Sequence, residues 1–396
     1  MDSIPIKNFP LQTTLLIKRS FLMKIRELRK YYNLSMPKLY AKFPYKKKVS
    51  LTSFKNNLEV EYPCYIRLDV LFHICKTLTI PLRVLERAII AYRTKKSRII
   101  IRNPTIPIKV SPIFYMLIAH LMGDGGFIRF KTKKTIYSGY RQYNEILRRS
   151  FLDKAEYVFG NLSFPRDYIS KSTRIYLPEC VSLILMDYVN YPTEKFLSRK
   201  ARIPEKFFKA NRMYLVALLT AFIIDKGNVD SGQICIRLIN KKLITDLAEI
   251  CKRLGYDSTI GKRSPSGMYN FYILQEGLKK YWKDYKQLKR QYVFLTMNYK
   301  EEALQKFIQR KKKFYRIEGM NVNKNTVVKL LKRELLSAKE IAYALRISRQ
   351  GAKYHLDILM RLGIVKRVRA RRGFNYALVK DINFKETKVS HLNTSL

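Results

Sequence analysis

Cysteine and histidine are scarce in this chain, and long apolar runs are missing. Its 396 residues include five Cys and four His, and no two cysteines form a Cys-x-x-Cys pair. This pattern argues against a structural zinc site and a disulfide framework, and it predicts a reducing, cytoplasmic setting. No apolar run reaches the roughly 18 residues of a membrane-spanning helix. We therefore expect no membrane partner.

Acidic residues are also few relative to basic ones. The chain has 79 Lys and Arg against 30 Asp and Glu, which gives a formal net charge of +49. A field of this size attracts a polyanion, because displacing counterions from phosphates favours association. Hydrophobic residues make up 47% of the chain, so it can build folded cores. The composition predicts a folded protein that binds nucleic acid.

Two apolar stretches run directly into acidic, glycine-containing turns. The first covers residues 113–122 and leads to Asp124; the second covers residues 213–224 and leads to Asp225 and Lys226. Small residues recur in each stretch at four-residue spacing, so two such helices can pack closely side by side. Their carboxyl ends, with the acids, would meet at one place. Paired carboxylates bind Mg²⁺, and Mg²⁺ beside a phosphodiester supports hydrolysis of nucleic acid.

This pair of motifs resembles the LAGLIDADG homing endonucleases, in which the last Asp of each motif binds the catalytic metal. Aligned without gaps, the first copy has Asp124 at the metal-binding position. The second copy has Lys226 there, and Asp225 is the nearest acid. The resemblance implies Asp124 and Asp225 as catalytic and metal-binding residues, with Mg²⁺ as cofactor only if the protein is catalytically active. Lys226 is the departure from the family motif.

The same order of predicted elements follows each motif, which indicates an internal repeat. After Asp124 the pattern predicts two strands, a helix over residues 144–160, further strands over 167–171 and 173–177, and a closing helix. After Asp225 strands, a helix, a hairpin and a last helix recur. Two such halves in one chain match the monomeric form of the resembled family. We therefore expect a core that is self-sufficient as a monomer.

Basic and aromatic residues are interleaved along a predicted strand of the first repeat, over residues 137–143. Because alternate side chains of a strand share one face, such a ribbon could lie in a DNA groove. Arg141 and Gln142 would then reach base edges or phosphates. The alternative is an ordinary half-exposed strand with a solvated charged face.

The amino-terminal segment is predicted to be helical. Helical patterns begin near residues 23, 35 and 50, and two more cover residues 66–78 and 82–92. The arrangement resembles the five-helix helix-turn-helix domain of Cro and phage repressors, in which the third helix enters the major groove. The alternative is a helical domain that only packs against the core. The resemblance implies DNA contacts by Thr52, Ser53, Lys55 and Asn56.

The carboxyl-terminal segment has well-marked helix boundaries. Ser337 and Glu340 form a capping box, Ser348 caps a second helix, and Gly363 ends it. Two strands around an arginine-rich turn follow. The segment resembles the winged helix of prokaryotic transcription regulators, which sometimes serves only as a protein contact and here offers a route to a dimer. The resemblance implies DNA contacts by Arg349, Gln350, Lys353, Tyr354, Arg371 and Arg372.

Together these interpretations predict an α+β fold. A pseudo-symmetric two-repeat LAGLIDADG core is flanked by an all-α helix-turn-helix domain and a winged-helix domain. The predicted boundaries are a helix-turn-helix domain over 1–95, repeats over 105–200 and 201–295, a basic linker over 296–324, a winged helix over 325–382 and a tail over 383–396.

The expected partner is double-stranded DNA, and no small-molecule substrate is expected. One hypothesis is a homing-endonuclease-like protein of the prokaryotic cytoplasm, in which Lys226 leaves Mg²⁺-dependent cleavage open. A second is a non-enzymatic transcription regulator with a degenerate LAGLIDADG core, as in bacterial regulators that join such a core to a helix-turn-helix. A third, an RNA maturase, is disfavoured by the winged helix, because A-form RNA hides its major groove.

Overall fold

The computed structural model describes residues 2–45, 49–59, 64–95, 97–129, 136–165, 167–190, 200–230, 232–309, 324–345, 347–370 and 373–379. Helices and strands are mixed along these residues, which confirms the predicted α+β class. They form two compact units, Met1–Phe307 and Ile308–Leu396, and the finer domain boundaries stay predictions. No helix in the described parts of the chain is both long and apolar enough to cross a bilayer.

The amino-terminal part of the first unit combines helices with short strands. Its elements are β1 (Ser3–Ile4), a 3-10 turn (Ile6–Asn8), β2 (Thr13–Ile17), α1 (Arg19–Tyr31), α2 (Met36–Ala41), α3 (Leu51–Glu59), β3 (Tyr65–Arg67), α4 (Leu68–Thr77), α5 (Leu82–Ala88), β4 (Ile89–Thr94), β5 (Ile100–Arg102) and β6 (Ile108–Lys109).

This segment contains more than the all-α domain expected from its sequence. Helices α1 to α5 cover the predicted helical segments. Three strands pair with one another around them: β2 before α1, β3 before α4 and β4 after α5. The helix predicted over residues 82–92 ends at Ala88 and the chain continues as β4. The cause is composition, because Ile89, Ile90 and Tyr92 favour a pleated, half-buried strand over a helix.

The rest of the first unit contains two similar successions of elements. The first is α6 (Pro112–Gly123), β7 (Gly125–Arg129), β8 (Ile136–Arg141), α7 (Glu145–Phe159), β9 (Asn161–Ser163), α8 (Tyr168–Lys171), β10 (Arg174–Tyr176) and α9 (Glu179–Val189). The second is α10 (Glu205–Phe208), α11 (Arg212–Lys226), β11 (Gly227–Asp230), β12 (Gln233–Leu238), α12 (Lys241–Leu254), β13 (Ser258–Ile260), β14 (Tyr269–Ile273), α13 (Gln275–Gln291) and α14 (Tyr299–Gln309).

One predicted strand of the first repeat is a helix instead. Residues 167–171 were expected to be extended, but Tyr168–Lys171 forms the short helix α8. Asp167 precedes it in the left-handed region, with φ of 61°, and the chain turns there rather than extending. The strand lies earlier, at β9, directly after the glycine that ends α7.

Helices α6 and α11 pack side by side at the centre of this core. Every residue of α6 and residues 215–224 of α11 are buried. The helices are apolar on all sides because both are enclosed on all sides. The helices approach closely at Gly123, where an added Cβ would lie 2.6 Å from Asp225 Oδ2. A side chain at this position would displace the Asp225 carboxylate.

The sheets of the two repeats differ by one strand. The second repeat has a four-stranded antiparallel sheet of order β11-β12-β14-β13, whereas the first has three strands of order β10-β8-β7. In the first repeat, β9 occupies the chain position that β13 has in the second, following the long helix after the hairpin. It pairs with β5 in a five-stranded sheet of order β3-β2-β4-β5-β9. The first repeat therefore shares a sheet with the amino-terminal segment.

The second unit has three helices and a small sheet within its described residues. The elements are α15 (Lys324–Leu331), β15 (Leu336–Ser337), α16 (Ala338–Ala344), α17 (Arg349–Arg361), β16 (Val365–Ala370) and β17 (Gly373–Leu378). The predicted capping box of Ser337 and Glu340 is confirmed, and Ser348 caps α17 by accepting from the Gly351 amide at 2.9 Å. Val327, Ile341 and Leu356 lie in its apolar core.

Candidate nucleic-acid interface

The carboxyl ends of α6 and α11 meet, and an ion pair joins them. Lys226 Nζ lies 2.5 Å from Asp124 Oδ1. Gln142 Nε2 donates to the other oxygen, Asp124 Oδ2, at 3.4 Å. The side chains of Asp124 and Lys226 are 18% and 32% exposed. The pair is thus largely buried but reaches solvent, beside the end of β8.

Asp225 has entirely different surroundings. Its side chain is fully buried, with an exposed fraction of 0%. The Tyr140 hydroxyl donates to Asp225 Oδ1 at 2.8 Å, and His120 Nδ1 lies 3.0 and 3.1 Å from the two carboxylate oxygens. Asp225 of the second motif is therefore enclosed by residues of the first repeat. His120 is also buried, with an exposed fraction of 1%.

The titration behaviour of this cluster follows from its burial. Burial raises the pKa of Asp124 to about 6, the negative charge of Asp225 adds to the rise, and Lys226 opposes it. Burial lowers the pKa of His120, and Asp225 opposes that change. A neutral His120 then donates its Nδ1–H to the Asp225 carboxylate. Its Nε2 has no hydrogen-bond partner among the described residues.

A buried lysine closes the end of α11. Lys300, 5% exposed, donates its ammonium to the carbonyl oxygens of Ile223 at 2.9 Å and Ile224 at 2.5 Å. A cation is stabilised there because the last carbonyls of a helix carry negative partial charge. Burial lowers the pKa of Lys300, while Asp225 and Asp124 oppose the change. No local sequence pattern predicted that Lys300 would lie near the motif acids.

A second lysine is buried inside the first repeat. Lys154 is 1% exposed and donates to the backbone oxygen and hydroxyl of Ser150, at 2.9 and 2.7 Å. Burial lowers the pKa of Lys154 to about 8, and the charge of Asp225 opposes the change. The motif carboxylates therefore have ammonium groups of the protein itself as counter-charges.

This donor set does not fit the Mg²⁺ that the resemblance implies. Mg²⁺ requires a near-octahedral shell of oxygen ligands from carboxylates and water. The partly exposed acid, Asp124, is paired with Lys226, and the oxygens of Asp225 face Tyr140 and His120. Across the residues that the structure describes, no three His, Cys, Asp or Glu side chains form a metal-binding group. An ammonium group at the second position repels a divalent cation.

Next to the ion pair, the sheet of the first repeat exposes arginine and tyrosine. Arg141 lies opposite Arg174 across β8 and β10. Arg141 donates to the Tyr143 hydroxyl at 2.6 Å, and Arg174 to the Tyr176 hydroxyl at 3.1 Å. The neighbouring residue, Tyr140, is buried on the other face of the strand. The predicted contact residue Arg141 is therefore on the exposed face, and Gln142 joins it to the motif ends.

The sheet of the second repeat carries a polar face that was not assigned from the sequence. The register places Cys235 opposite Tyr272, and Arg237 opposite Asn270, on one face. Ile234, Ile236 and Phe271 lie on the other face and are fully buried. Arginine and asparagine side chains read base edges in a groove. Alternation of polar and apolar residues over 233–238, broken only by the buried Cys235, is the signal that could have identified this face.

The predicted contact residues of α3 are at the surface. Phe54 is fully buried, and its ring packs 5.5 Å from Tyr40 and 5.6 Å from Phe43. The exposed side of α3 includes all four predicted contact residues: Thr52, Ser53, Lys55 and Asn56.

Helix α17 of the second unit is likewise divided into a buried and an exposed side. Ala352, Leu356 and Leu359 are buried in the core of this unit. The predicted contact residues Arg349, Gln350, Lys353 and Tyr354 are exposed. Strand β16 adds exposed Lys366, Arg367 and Arg369. Arg371 and Arg372 lie outside the described residues.

Comparison with known proteins gives one family match and several similar structures. A helix-turn-helix domain family matches residues 327–368. Among curated proteins, none matches the chain. A structure of mesophilic variants of the homing endonuclease I-DmoI is 15% identical, with 43% of this chain and 93% of that chain covered and a TM-score of 0.31.

Two further structures are similar at the same level. I-DmoI in complex with DNA and Ca is 13% identical, covering 49% of this chain and 97% of that chain, with a TM-score of 0.34. Full-length DUF199/WhiA from Thermatoga maritima is 12% identical, covering 63% of this chain and 90% of that chain, with a TM-score of 0.28.

Proposed function

We propose that this protein binds specific sequences in double-stranded DNA and does not cleave them. The observation that carries the proposal is the ion pair between Lys226 and Asp124, formed while Asp225 is buried. The arrangement leaves a polar ion pair at the motif ends and removes the carboxylate pair that a metal needs. The sequence left open whether the protein cleaves the DNA that it binds. This arrangement favours binding without cleavage.

Three exposed surfaces support the DNA-binding part of the proposal. They are the exposed side of α3, the polar sheet faces of the two repeats, and the exposed side of α17. The family match over residues 327–368 supports the third of these. The net charge of +49 supplies long-range attraction to phosphate, which is independent of sequence. Side chains on the surfaces would supply the sequence dependence.

The charges around the motif ends support the absence of cleavage. Lys226 neutralises the surface carboxylate, and Lys300 lies at the end of the same helix. Hydrolysis assisted by Mg²⁺ needs carboxylates that face the phosphate and hold the cation. A non-cleaving DNA binder of this architecture would act as a transcription regulator. It would either block other proteins from its DNA site or recruit them to it.

The proposal is tested on a DNA site selected by the protein itself from random duplexes. Wild type is incubated with that duplex in excess chelator, in Mg²⁺ and in Mn²⁺, and both binding and strand integrity are measured. We expect the same affinity in all three conditions and intact duplex after long incubation. Double-strand breaks by wild type in Mg²⁺ or Mn²⁺ that are absent in chelator would overturn the proposal. Failure to select any duplex would overturn DNA binding itself.

A further inference from the structure

Strand β9 joins the first repeat to the amino-terminal segment, instead of forming a fourth strand in the sheet of its own repeat. In the second repeat β13 pairs with β14, whereas in the first repeat β9 pairs antiparallel with β5. The register aligns Ile101 with Leu162 and Arg102 with Asn161. Strand β5 in turn pairs with β4, and β4 with β2. A continuous sheet therefore runs from the helix-turn-helix segment into the core.

Side chains reinforce this junction from both directions. Tyr92 of β4 is fully buried and its hydroxyl donates to the Phe159 carbonyl of α7 at 3.4 Å. The backbone amide of Cys180, at the start of α9, donates to Thr94 Oγ1 at 2.9 Å. Two long helices of the first repeat are thus bonded to one strand of the amino-terminal segment.

A glycine at the end of α7 fits directly against β5. Gly160 has φ of 106°, a conformation that disfavours any side chain. A Cβ added there would lie 2.7 Å from the Arg102 carbonyl and 2.8 Å from Pro104 Cα. The backbone at the end of α7 is thus packed directly against the backbone at the end of β5. Such direct packing differs from a connection through a flexible linker alone.

Helix α3 is attached to the same sheet through α1. Helix α1 begins two residues after β2 ends, and the Lys18 amide donates to the Ala88 carbonyl at 2.9 Å. Arg26 of α1 donates from Nε to the Leu58 carbonyl of α3 at 3.1 Å. Arg29 of α1 also pairs with Glu59 of α3 at 3.4 Å. The exposed side of α3 is therefore held in a fixed position relative to β2.

We infer that the amino-terminal helix-turn-helix and the two-repeat core act as one rigid DNA reader, with the contacts of α3 at a fixed distance from those of the core. The inference rests on the proposed function, since it assumes that both surfaces bind the same duplex. The DNA target then consists of two elements with one permitted spacing. A tethered helix-turn-helix would instead tolerate several spacings, because a flexible linker adjusts to the separation.

Spacing variants of the selected duplex separate these two cases. Inserting about 5 base pairs between the elements rotates one by about half a turn, and about 10 base pairs restores the face but adds about 34 Å. A rigid reader loses contact with one element in both variants. We expect both insertions to lower affinity to the level of a duplex in which the α3 element is scrambled.

A cleavage reagent attached to α3 locates this helix on the DNA directly. Leu51→Cys, at the exposed start of α3 and outside the predicted contact residues, is introduced together with Cys64→Ser, because the other four cysteines are buried and Cys64 is partly exposed. A chelate that generates hydroxyl radicals is attached to this thiol, and strand cuts are mapped on the parent and both spacing variants. Thr259→Cys, on an exposed strand of the core, provides the matched label.

Each result of the mapping decides the inference. Cuts from the α3 label that stay at a constant distance from the core cuts, with affinity reduced by both insertions, are the expected result. Cuts from the α3 label that move with the displaced α3 element, with affinity retained in the duplex with 10 added base pairs, would overturn the rigid arrangement. Binding without cuts from the α3 label would show that α3 does not touch DNA and would overturn the inference while leaving the proposed function intact. Absence of binding would overturn the proposed function, and the inference with it.

Discussion

Lys226 Nζ lies 2.5 Å from Asp124 Oδ1, so the two LAGLIDADG-like motifs are joined by an ion pair where two acids would hold a metal. The pair is only partly exposed, and Gln142, directly after β8, donates to the same Asp124 carboxylate. Asp225, one residue earlier, lies fully buried on the other side of the helix end. In the second motif, Asp225 thus forms part of the buried cluster, and Lys226 forms the partly exposed ion pair.

Replacing the ammonium by a carboxylate should create metal affinity. In Lys226→Asp a second acid would face Asp124, and paired carboxylates with water are the ligands that Mg²⁺ and Mn²⁺ prefer. We expect the thermal midpoint of this variant to rise with millimolar Mn²⁺ and that of wild type to stay constant. Lys226→Met is the matched control, because it removes the charge without adding a ligand. A rise in wild type would contradict the ion-pair interpretation.

Removing the charge of Asp225 should destabilise the fold. Asn keeps the size of the side chain, but Lys154 and Lys300 lose a buried counter-charge, and His120 faces an amide. Breaking a buried charge cluster from one side costs about 3 kcal/mol. The free energy of unfolding in urea measures this for Asp225→Asn. Asp124→Asn is the control at neutral pH, where we expect no comparable loss; equal losses would refute a special role for Asp225.

The helices and caps of this chain were predictable because their signals are local. The apolar runs that form α6 and α11 and the capping box at Ser337 are visible within a dozen residues. The pairing of β9 with β5 was not predictable, since Asn161–Ser163 is too short to show alternation and its partner lies about 60 residues earlier. Pairing at that distance depends on the tertiary fold.

The chemistry of the site was predictable only in part, for the same reason. Counting along the motif identifies Lys226 as the departure and Asp225 as the nearest acid. Consecutive helical residues point about 100° apart, so the acid one position earlier need not face the same surface. The bond between His120 and Asp225 joins residues 105 positions apart, and only the packing of α6 on α11 produces it.

Stability should depend on pH through Asp124. Its pKa is raised from the ordinary 3.8 to about 6 in the folded protein, chiefly by burial. The folded state therefore binds this proton more tightly than the unfolded state, so the contribution is complete below pH 3.8 and is lost as pH rises to about 6. We expect the stability of wild type relative to Asp124→Asn to fall across this interval in urea titrations. A flat difference would contradict the burial of this carboxyl.

Removing the second unit should reduce specificity more than general affinity. A chain that ends at Phe307 keeps the two repeats and the amino-terminal helices but loses the exposed side of α17. Binding to random duplex depends mainly on phosphate contacts and falls steeply with salt, whereas base contacts distinguish the selected site. We expect the ratio of specific to random affinity to drop in fluorescence titrations over a salt series. Equal losses on both DNAs would give the second unit a role other than base reading.

The polar face of the second repeat should contribute to base reading. Arg237 is exposed and lies opposite Asn270, on the face of the sheet away from buried Ile236. Arginine that contacts guanine in a groove contributes about 1–3 kcal/mol of discrimination between bases. We expect Arg237→Ala to weaken binding to the selected site by that amount and to relax its preference at one base pair, measured by repeating the selection with the variant. Lys252→Ala removes an exposed charge from α12 and is the matched control, for which the preference should not change. If both variants weaken selected and random duplexes alike, Arg237 contributes only charge, and the specificity of the core lies in the first repeat.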